Sequence, residues 1–333
     1  MDAVLTSEPV APEADAGQSP LPPFLRLSRE IRDLIYLAVL EAADEAPPSP
    51  SACGPRLDLG YYEAGRIGRD WPPDPCQYRK PPLDYGTWSE WNRYSESPVR
   101  INSRSLLYLN HQVHAEMTEA ISRLRASDGL YYLLDCIIEN EYVLWPTWLH
   151  VPAVSSKVDI VETQIRACGD WSERWRSGWR AGCGGYAHVI WSLLELLQRF
   201  LVRGPDFLSQ PKESGPKIGV LVLNIITPEE PENGFLPVES HIGSGDGRKH
   251  GLIHPESMAL MLTDHTDTLL QYACGGVSEL KRKKYSVMKL VDYIDRIEIR
   301  VDGNERKSWE LKEVLAFYTE LEERARQRSL ANQ

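Results

Sequence analysis

Apolar residues recur at helical spacing in a short segment near the start of the chain. Over residues 28–40 they follow a 3.6-residue period, and Ser28 stands where it can cap the first turn. We therefore predict a helix over this range. Its periodic face consists of Leu27, Ile31, Leu34, Ile35, Ala38 and Val39. Tyr36, Leu37 and Leu40 project from the other side, so the last two turns are apolar nearly all round, which is typical of a helix with neighbours on two faces.

A second amphipathic helix is predicted over 103–125. Its apolar face consists of Leu106, Leu109, Val113, Met117, Ala120, Ile121 and Leu124. From residue 130 onward, strand patterns alternate with helical ones. The predicted strands are 130–138, 157–165, 217–226 and 295–302, and the predicted helices are 186–203, 256–274, a short one near 286–293, and a terminal amphipathic one at 308–329.

This order of elements predicts the fold class and the domains. Strands that alternate with helices and are joined by single crossovers indicate a mixed, partly parallel sheet, so we expect an α/β fold or an α+β fold. The run at 217–226 is continuous enough for a buried central strand. The predicted units are an acidic disordered tail (1–23), a helical region (24–125), an α/β domain (126–305) and a C-terminal helix (306–333).

Proline divides the helical region. Residues 41–103 hold ten of the 24 prolines, together with many tyrosines and tryptophans. Proline excludes long helices and central strands from such a segment. Its aromatic content favours an irregular insertion that lies on a folded surface over a free linker.

Composition and charge narrow the functional classes. The 333 residues are 42% hydrophobic and 26% charged, which is typical of a soluble globular protein. Lys plus Arg number 37 against 48 Asp plus Glu, and the net charge of -11 makes nucleic acid an unlikely partner class. No apolar run reaches the ~18 residues of a membrane span. The first 23 residues lack the pattern of a signal peptide, and the six cysteines are scattered. We therefore expect a cytoplasmic or nuclear protein.

Two segments carry a resemblance to a known family. The first is Leu27-Ser28-Arg29-Glu30-Ile31-Arg32-Asp33-Leu34-Ile35-Tyr36, and the second is Leu106-Leu107-Tyr108-Leu109-Asn110-His111-Gln112-Val113-His114-Ala115-Glu116. They resemble the two elements of the fungal F-box-like family whose domain is named for its Glu-X-Arg motif. The resemblance implies a non-catalytic protein-interaction protein that recruits substrates to a ubiquitin ligase and binds a Skp-type adaptor subunit.

The resemblance and the apolar pattern together indicate a partner-binding surface on the first helix. The expected partner-binding residues are Leu25, Leu27, Ile31, Ile35, Tyr36, Leu37 and Leu40. We expect Tyr36, Leu37 and Leu40 to face outward while the periodic face meets the body of the protein. The alternative is that both faces are satisfied within the chain, because large exposed apolar patches are rare on monomers.

A tryptophan repeat offers a surface for recruiting a second protein. Trp171, Trp175 and Trp179 recur every four residues among arginines, so on a helix their rings would share one face. Such a face could grip an acidic partner or stack on bases. The alternative is a helix that simply covers the sheet.

Other chemistry-bearing patterns do not predict a site. His250 and His254 stand four apart beside Gly251 and Pro255, without a completing ligand set, so no metal is predicted. The glycine-rich segment 243–250 lacks the context of a phosphate-binding loop. No cofactor is predicted.

Two other functional classes stay open. One is an enzyme whose site assembles only in three dimensions, for which Cys183, His188 and His265 are the candidates. The other is a scaffold that self-associates through the terminal helix at 308–329.

Overall fold

The computed structural model describes residues 22–58, 92–127, 129–140, 143–169, 188–210, 215–229, 231, 234–235, 251–274 and 290–331. The helices are α1 (Arg29–Glu41), α2 (Arg104–Leu107), α3 (His111–Ser127), α4 (His188–Arg203), α5 (Pro255–Cys274), α6 (Leu290–Tyr293) and α7 (Leu311–Ala331). The strands are β1 (Arg56–Asp58), β2 (Arg93–Ser95), β3 (Tyr131–Glu139), β4 (Val143–His150), β5 (Lys157–Cys168), β6 (Lys217–Ile225), β7 (Ile294–Val301) and β8 (Asn304–Glu310). The predicted acidic tail and the middle of the insertion at 41–103 lie outside the described residues.

A mixed six-stranded sheet forms the body of the protein, in the order β4-β3-β5-β6-β7-β8. The neighbours among β3, β5, β6 and β7 are parallel, and β4 and β8 join antiparallel at the two edges. Helix α4 connects β5 with β6, while α5 and α6 connect β6 with β7. The predicted fold class is therefore confirmed, and β6 is the interior strand that its continuous apolar run indicated.

The main hydrophobic core lies between one face of the sheet and the longer helices. Two successive crossovers step in the same direction across the sheet, so right-handed connections keep α4 and α5 on the same face. The core combines alternate strand positions with helix residues, among them Leu134, Cys136, Val161, Ile165, Leu221, Ile225, Ile297, Ile299, Leu194, Leu262 and Leu311. Alternation is expected because successive strand residues point to opposite faces.

The opposite face of the sheet carries polar residues. Strand register aligns Asp135, Gln164, Asn224 and Arg300 in one row across four strands. In this layer Arg166 donates two hydrogen bonds to Asp135, at 2.6 and 2.7 Å. The same guanidinium donates to the carbonyl of Pro47 at 2.6 Å. The chain that follows α1 is thereby attached to the polar face.

The edge strands β4 and β8 were not predicted. Pro146 interrupts the strand pattern of β4, and Asn304–Glu310 is mostly charged and overlaps the start of the predicted terminal helix, which begins instead at Leu311. Proline and charge are typical of sheet edges because they discourage pairing with another chain. Arg56 donates to the Pro146 carbonyl and to the Thr147 hydroxyl, both at 2.6 Å, and so covers part of the β4 edge.

The predicted helix at 103–125 is wrong as a single element, because the chain breaks it into α2 and α3. Asn110 accepts a hydrogen bond from the Val113 amide at 2.9 Å and thereby caps the first turn of α3. The break turns Leu109 outward, where it is 61% exposed, although the sequence places it on the apolar face. Periodicity alone did not show that an asparagine inside the pattern would start a new helix.

The helices α1 and α3 share a second, smaller core. It contains Tyr36, Leu40, Val113, Met117, Ala120, Ile121 and Ala153. The C-terminal carbonyls of α1 are bound by groups from elsewhere in the fold. The Asn102 amide donates to the carbonyls of Leu40 and Ala42, at 3.2 and 2.7 Å, and Nδ1 of His150 lies 2.8 Å from the Ala42 carbonyl. These contacts join α1 to the end of β4.

The close contact between β5 and β6 can be tested at Gly219. A Cβ atom added there would lie 2.6 Å from the carbonyl oxygen of Asp159, a backbone atom that cannot move away cheaply. We expect Gly219→Ala to lower the free energy of unfolding by about 1–3 kcal/mol, measured by urea denaturation. Lys217→Ala, at the exposed start of the same strand, is the control and should change it by less than about 0.5 kcal/mol. Equal stabilities of the two variants would contradict this packing.

Candidate protein-binding site

A buried carboxylate clamps α1 onto α3. Arg32 binds Glu116 through two hydrogen bonds, from Nε to Oε2 at 2.8 Å and from Nη2 to Oε1 at 2.6 Å. Tyr36, one turn further along α1, donates to the same carboxylate at 2.8 Å, and Gln112 donates to it at 3.0 Å. The exposed fractions of Arg32, Tyr36 and Glu116 are 7%, 0% and 5%. We call these four side chains the clamp.

The clamp also holds the backbone just before α1. The third donor group of Arg32, Nη1, binds the carbonyl of Leu27 at 2.6 Å. A buried guanidinium needs partners for its donors, because an unpaired polar group away from water is costly. Arg32 therefore holds Leu27, two residues before α1, as well as the facing helix.

Electrostatics favour the charged form of the clamp. The hydrogen bond from Arg32 outweighs desolvation and lowers the pKa of Glu116 to about 2, with further help from Gln112 and Tyr36. The same pairing raises the pKa of Arg32. Burial, followed by the neighbouring carboxylate, raises the pKa of Tyr36 to about 12. At neutral pH the clamp is thus an ion pair that also accepts a hydrogen bond from a neutral phenol.

Exposed ion pairs surround the clamp. Arg29 contacts Asp33 at 2.9 Å and Glu119 at 2.8 Å, and Arg123 of α3 contacts Asp33 at 2.8 Å. Pairs of this kind contribute little individually because water and salt screen them. They do keep polar groups at the border of the contact between α1 and α3.

The inner face of α1 differs from the predicted one. Tyr36 and Leu40 were expected to face outward, and both are fully buried in the small core. Arg32 is the third buried residue of α1. The pattern was misread because apolar spacing ignores arginine, whereas Glu116 on the inner face of α3 requires a cation opposite it. Once Arg32 points inward, Tyr36 and Leu40 follow it at intervals of four residues.

The outer face of α1 carries an apolar stripe instead. Leu27, two residues before α1, and Ile31, Leu34 and Leu37 of α1 are 40%, 46%, 62% and 40% exposed, and we call these four side chains the outer stripe. At 3.6 residues per turn, Leu34 lies roughly 160° around the helix from Tyr36. Leu37 was predicted to face outward and is exposed. Ile31 was predicted to face the body of the protein, but it is exposed as well. Leu25 and Ile35, the remaining predicted partner-binding residues, are half-buried.

The clamp consists of residues that also carry the family resemblance. Arg32 is the arginine of the Glu-X-Arg segment, Tyr36 ends that segment, and Gln112 and Glu116 belong to the second quoted segment. Each residue type has a physical role here: a guanidinium to pair with the carboxylate, a phenol and an amide to donate to it. Glu30, the first residue of the motif, is exposed.

A second buried polar network, missed by the sequence analysis, fastens the end of the insertion to α4. Asn92 donates to the Ser192 carbonyl at 3.1 Å and to Glu195 at 3.0 Å. Arg199 donates to Glu195 at 2.8 Å and lies over the ring of Tyr94, with its Cζ 4.8 Å from the ring centroid. Arg199 is only 2% exposed although the helical pattern gave no sign of it. These contacts hold the end of the insertion against α4. They do not line an open binding site.

A small cleft lies above this network. Its volume is about 110 Å³, and Tyr94, Arg100, Thr147, Trp148, Asp206 and Phe207 are among its lining residues. Trp148 stacks on Phe207 with 5.6 Å between ring centroids, and its indole donates to the Pro205 carbonyl at 2.7 Å. The cleft is too small for a drug-sized ligand, since such pockets measure about 300–1,000 Å³.

The other sequence candidates fall into two groups. Trp171, Trp175, Trp179, Cys183, His250 and the side chain of His188 lie outside the described residues. His254 lies in a loop before α5, where its Nδ1 accepts a hydrogen bond from the Glu256 amide at 3.2 Å. Burial lowers the pKa of His265. Within the ranges that the structure covers, no three His, Cys, Asp or Glu residues are grouped as a metal site would require.

No family model, curated protein or solved structure matches this chain. Among the described helices, none combines the length and apolarity needed to cross a bilayer.

Acid should weaken the clamp in a defined pH range. The unfolded-state pKa of a glutamate is about 4.3, and folding lowers that of Glu116 to about 2. Because the folded pKa is the lower one, the stabilisation is complete above about pH 5 and is lost as the pH falls from there toward 2. We expect Glu116→Gln to cost on the order of 2 kcal/mol at pH 7, and the difference from the wild type to shrink as the pH falls from 6 to 3.

The measurement is urea denaturation at a series of pH values. Glu119→Gln is the matched control, because Glu119 lies one turn along α3 but is exposed. It should cost no more than about 0.5 kcal/mol. A Glu116→Gln deficit that stays constant down to pH 3 would contradict the clamp.

Proposed function

We propose that this chain is a protein-interaction protein of the F-box type, which binds a Skp-type adaptor subunit through the outer stripe and recruits a second protein to a ubiquitin ligase. One observation carries the proposal. Helix α1 is closed on its inner face by the clamp and the small core, yet three large apolar side chains on its outer face, and Leu27 just before it, are exposed to solvent. Exposed contiguous apolar surface of this kind marks interaction sites.

The exposed apolar area of the outer stripe limits the binding free energy that its burial could supply. Full burial of a leucine or isoleucine side chain stabilises by ~1.5–3 kcal/mol. With exposed fractions between 40% and 62%, burial of the four side chains would yield roughly 4 kcal/mol. Association costs at least that much in lost freedom of motion, so further contacts are needed. Tyr108 and Leu109 in the same helical unit, 85% and 61% exposed, supply additional apolar surface.

Rigidity favours α1 as a docking element. Its inner side is held by the bidentate pair between Arg32 and Glu116, and its C-terminal carbonyls are held by Asn102 and His150. A surface that is already ordered loses little conformational entropy on binding, so more of the contact energy appears as affinity. The clamp therefore supports the proposal by preorganising the outer stripe.

The recruiting surface for the second protein is assigned to a different part of the chain. We propose the aromatic insertion at 41–103 together with Trp171, Trp175 and Trp179 for this role, as the sequence suggested. The first described end of the insertion, 41–58, contacts the sheet through Arg56 and the Pro47 carbonyl. The second, 92–103, contacts α4 through Asn92. Both described ends of the insertion are therefore attached to the body of the protein.

Aspartate substitutions on the outer stripe test adaptor binding. We expect Leu34→Asp combined with Leu37→Asp to weaken binding of a purified Skp-type subunit at least 100-fold, because burial of two carboxylates in an apolar contact is costly. Both side chains are exposed in the free chain, so the thermal midpoint should change by only a few degrees. Binding is measured by isothermal titration calorimetry with the full chain.

Leu260→Asp is the matched control for that experiment. Leu260 is 50% exposed on α5, away from the helical unit, and its substitution should leave adaptor affinity unchanged. Tyr36→Asp is unsuitable as a probe because it would place a second carboxylate beside Glu116 in the small core. Absence of binding by the wild-type chain, or equal affinity of the wild type and the doubly substituted chain, would contradict the proposal.

A further inference from the structure

The terminal helix α7 extends beyond the body of the protein. Leu311 is fully buried, and Val314 and Tyr318 pack against the main core. After Tyr318, every side chain whose burial the structure describes is exposed: Thr319, Glu320, Leu321, Glu323, Arg324, Gln327, Arg328 and Leu330. A helix of three turns without tertiary contacts is marginal in water. We therefore expect contacts with a partner to stabilise the distal part of α7.

One face of α7 combines an apolar centre with charged ends. Phe317 and Leu321 are 56% and 42% exposed. They are preceded by Glu313 and followed by Arg324 and Arg328 on the same face. At 100° per residue these five positions fall within about 80° of each other around the helix axis. The face is thus acidic at its start, apolar in its middle and basic at its end.

We propose that this face of α7 pairs with the same face of a second copy of the chain, with the two helices antiparallel. A two-fold axis level with residue 319 places Phe317 against the partner's Leu321 and, by symmetry, Leu321 against the partner's Phe317. It also brings Glu313 near the partner's Arg324. Two-fold contacts of this kind are self-complementary, since each residue of the patch meets its counterpart twice.

The distribution of charge along α7 favours a second copy of the chain as the partner of this face. Over 311–323 α7 holds four glutamates and one lysine, whereas 324–331 holds three arginines and no acid. Antiparallel pairing about this axis sets the arginine-rich end of each helix, 324–328, opposite the first turn of the other, which contains Glu313. Parallel pairing would oppose like charges, which is unfavourable. The helix is therefore complementary to its own reversed copy.

The contact is small, so the dimer should be weak. Two helical faces of about four turns bury less than the ~1,200 Å² of a standard stable interface. We expect a dissociation constant on the order of 10 μM at low salt, and weaker association in 0.5 M salt because exposed charges are screened.

Sedimentation velocity of the full chain over 1–200 μM tests the apolar centre of the contact. The wild type should pass from monomer to dimer over this range, and Phe317→Asp combined with Leu321→Asp should stay monomeric at 200 μM. The control, Leu34→Asp combined with Leu37→Asp, should dimerise like the wild type, so failure of adaptor binding and failure of dimerisation are distinguishable. A wild type that is monomeric throughout, or an α7 variant that still dimerises, would overturn the proposal.

Charge reversal tests the orientation. Arg324→Glu alone and Glu313→Lys alone should each raise the dissociation constant at least tenfold, because each places like charges together in an antiparallel pair. An equimolar mixture of the two variants should recover wild-type association, because opposite charges then meet at both ends. Unchanged association of the single variants, or no recovery in the mixture, would overturn the antiparallel arrangement.

Discussion

The carboxylate of Glu116 holds the N-terminal unit together, because it is largely buried and accepts hydrogen bonds from Arg32, Tyr36 and Gln112. A buried ion pair is not by itself a strong source of stability, since desolvation offsets much of the attraction. Its larger effect is on geometry. Bidentate pairing fixes the rotation of α1 about its axis, because any other rotation would leave a charge buried without its partner.

That rotation decides which side chains reach solvent. With Arg32, Tyr36 and Leu40 inward, the outer stripe is on the opposite side and the sheet domain leaves it uncovered. The proposed adaptor site thus follows from a polar constraint on the other face of the same helix. The two ends of the described chain then offer separate surfaces, the outer stripe near the start and the outer face of α7 near the end, so adaptor binding and self-association need not compete.

The sequence predicted the order of elements well where apolar periodicity is strong. It placed α1, the four parallel strands and their crossover helices close to their observed positions. It missed β4 and β8 because edge strands use Pro146 and charged residues to avoid pairing, which removes the strand signal. It also placed Tyr36 and Leu40 on the outer side of α1 and Ile31 on the inner side, whereas Tyr36 and Leu40 are buried and Ile31 is exposed. Knowing that Arg32 points inward requires knowing that Glu116 lies opposite it, 84 residues further along the chain, and no local pattern contains that information.

Solvent accessibility of individual methyl groups in α1 tests the central claim most directly. In a methyl-labelled sample of the full chain, a soluble paramagnetic probe should strongly broaden the signals of Ile31, Leu34 and Leu37 and leave the signal of Leu40 sharp. Comparable broadening of all four signals, or a broadened Leu40 beside sharp signals from Ile31 and Leu34, would show that the clamp does not set the orientation of α1 and would contradict the account.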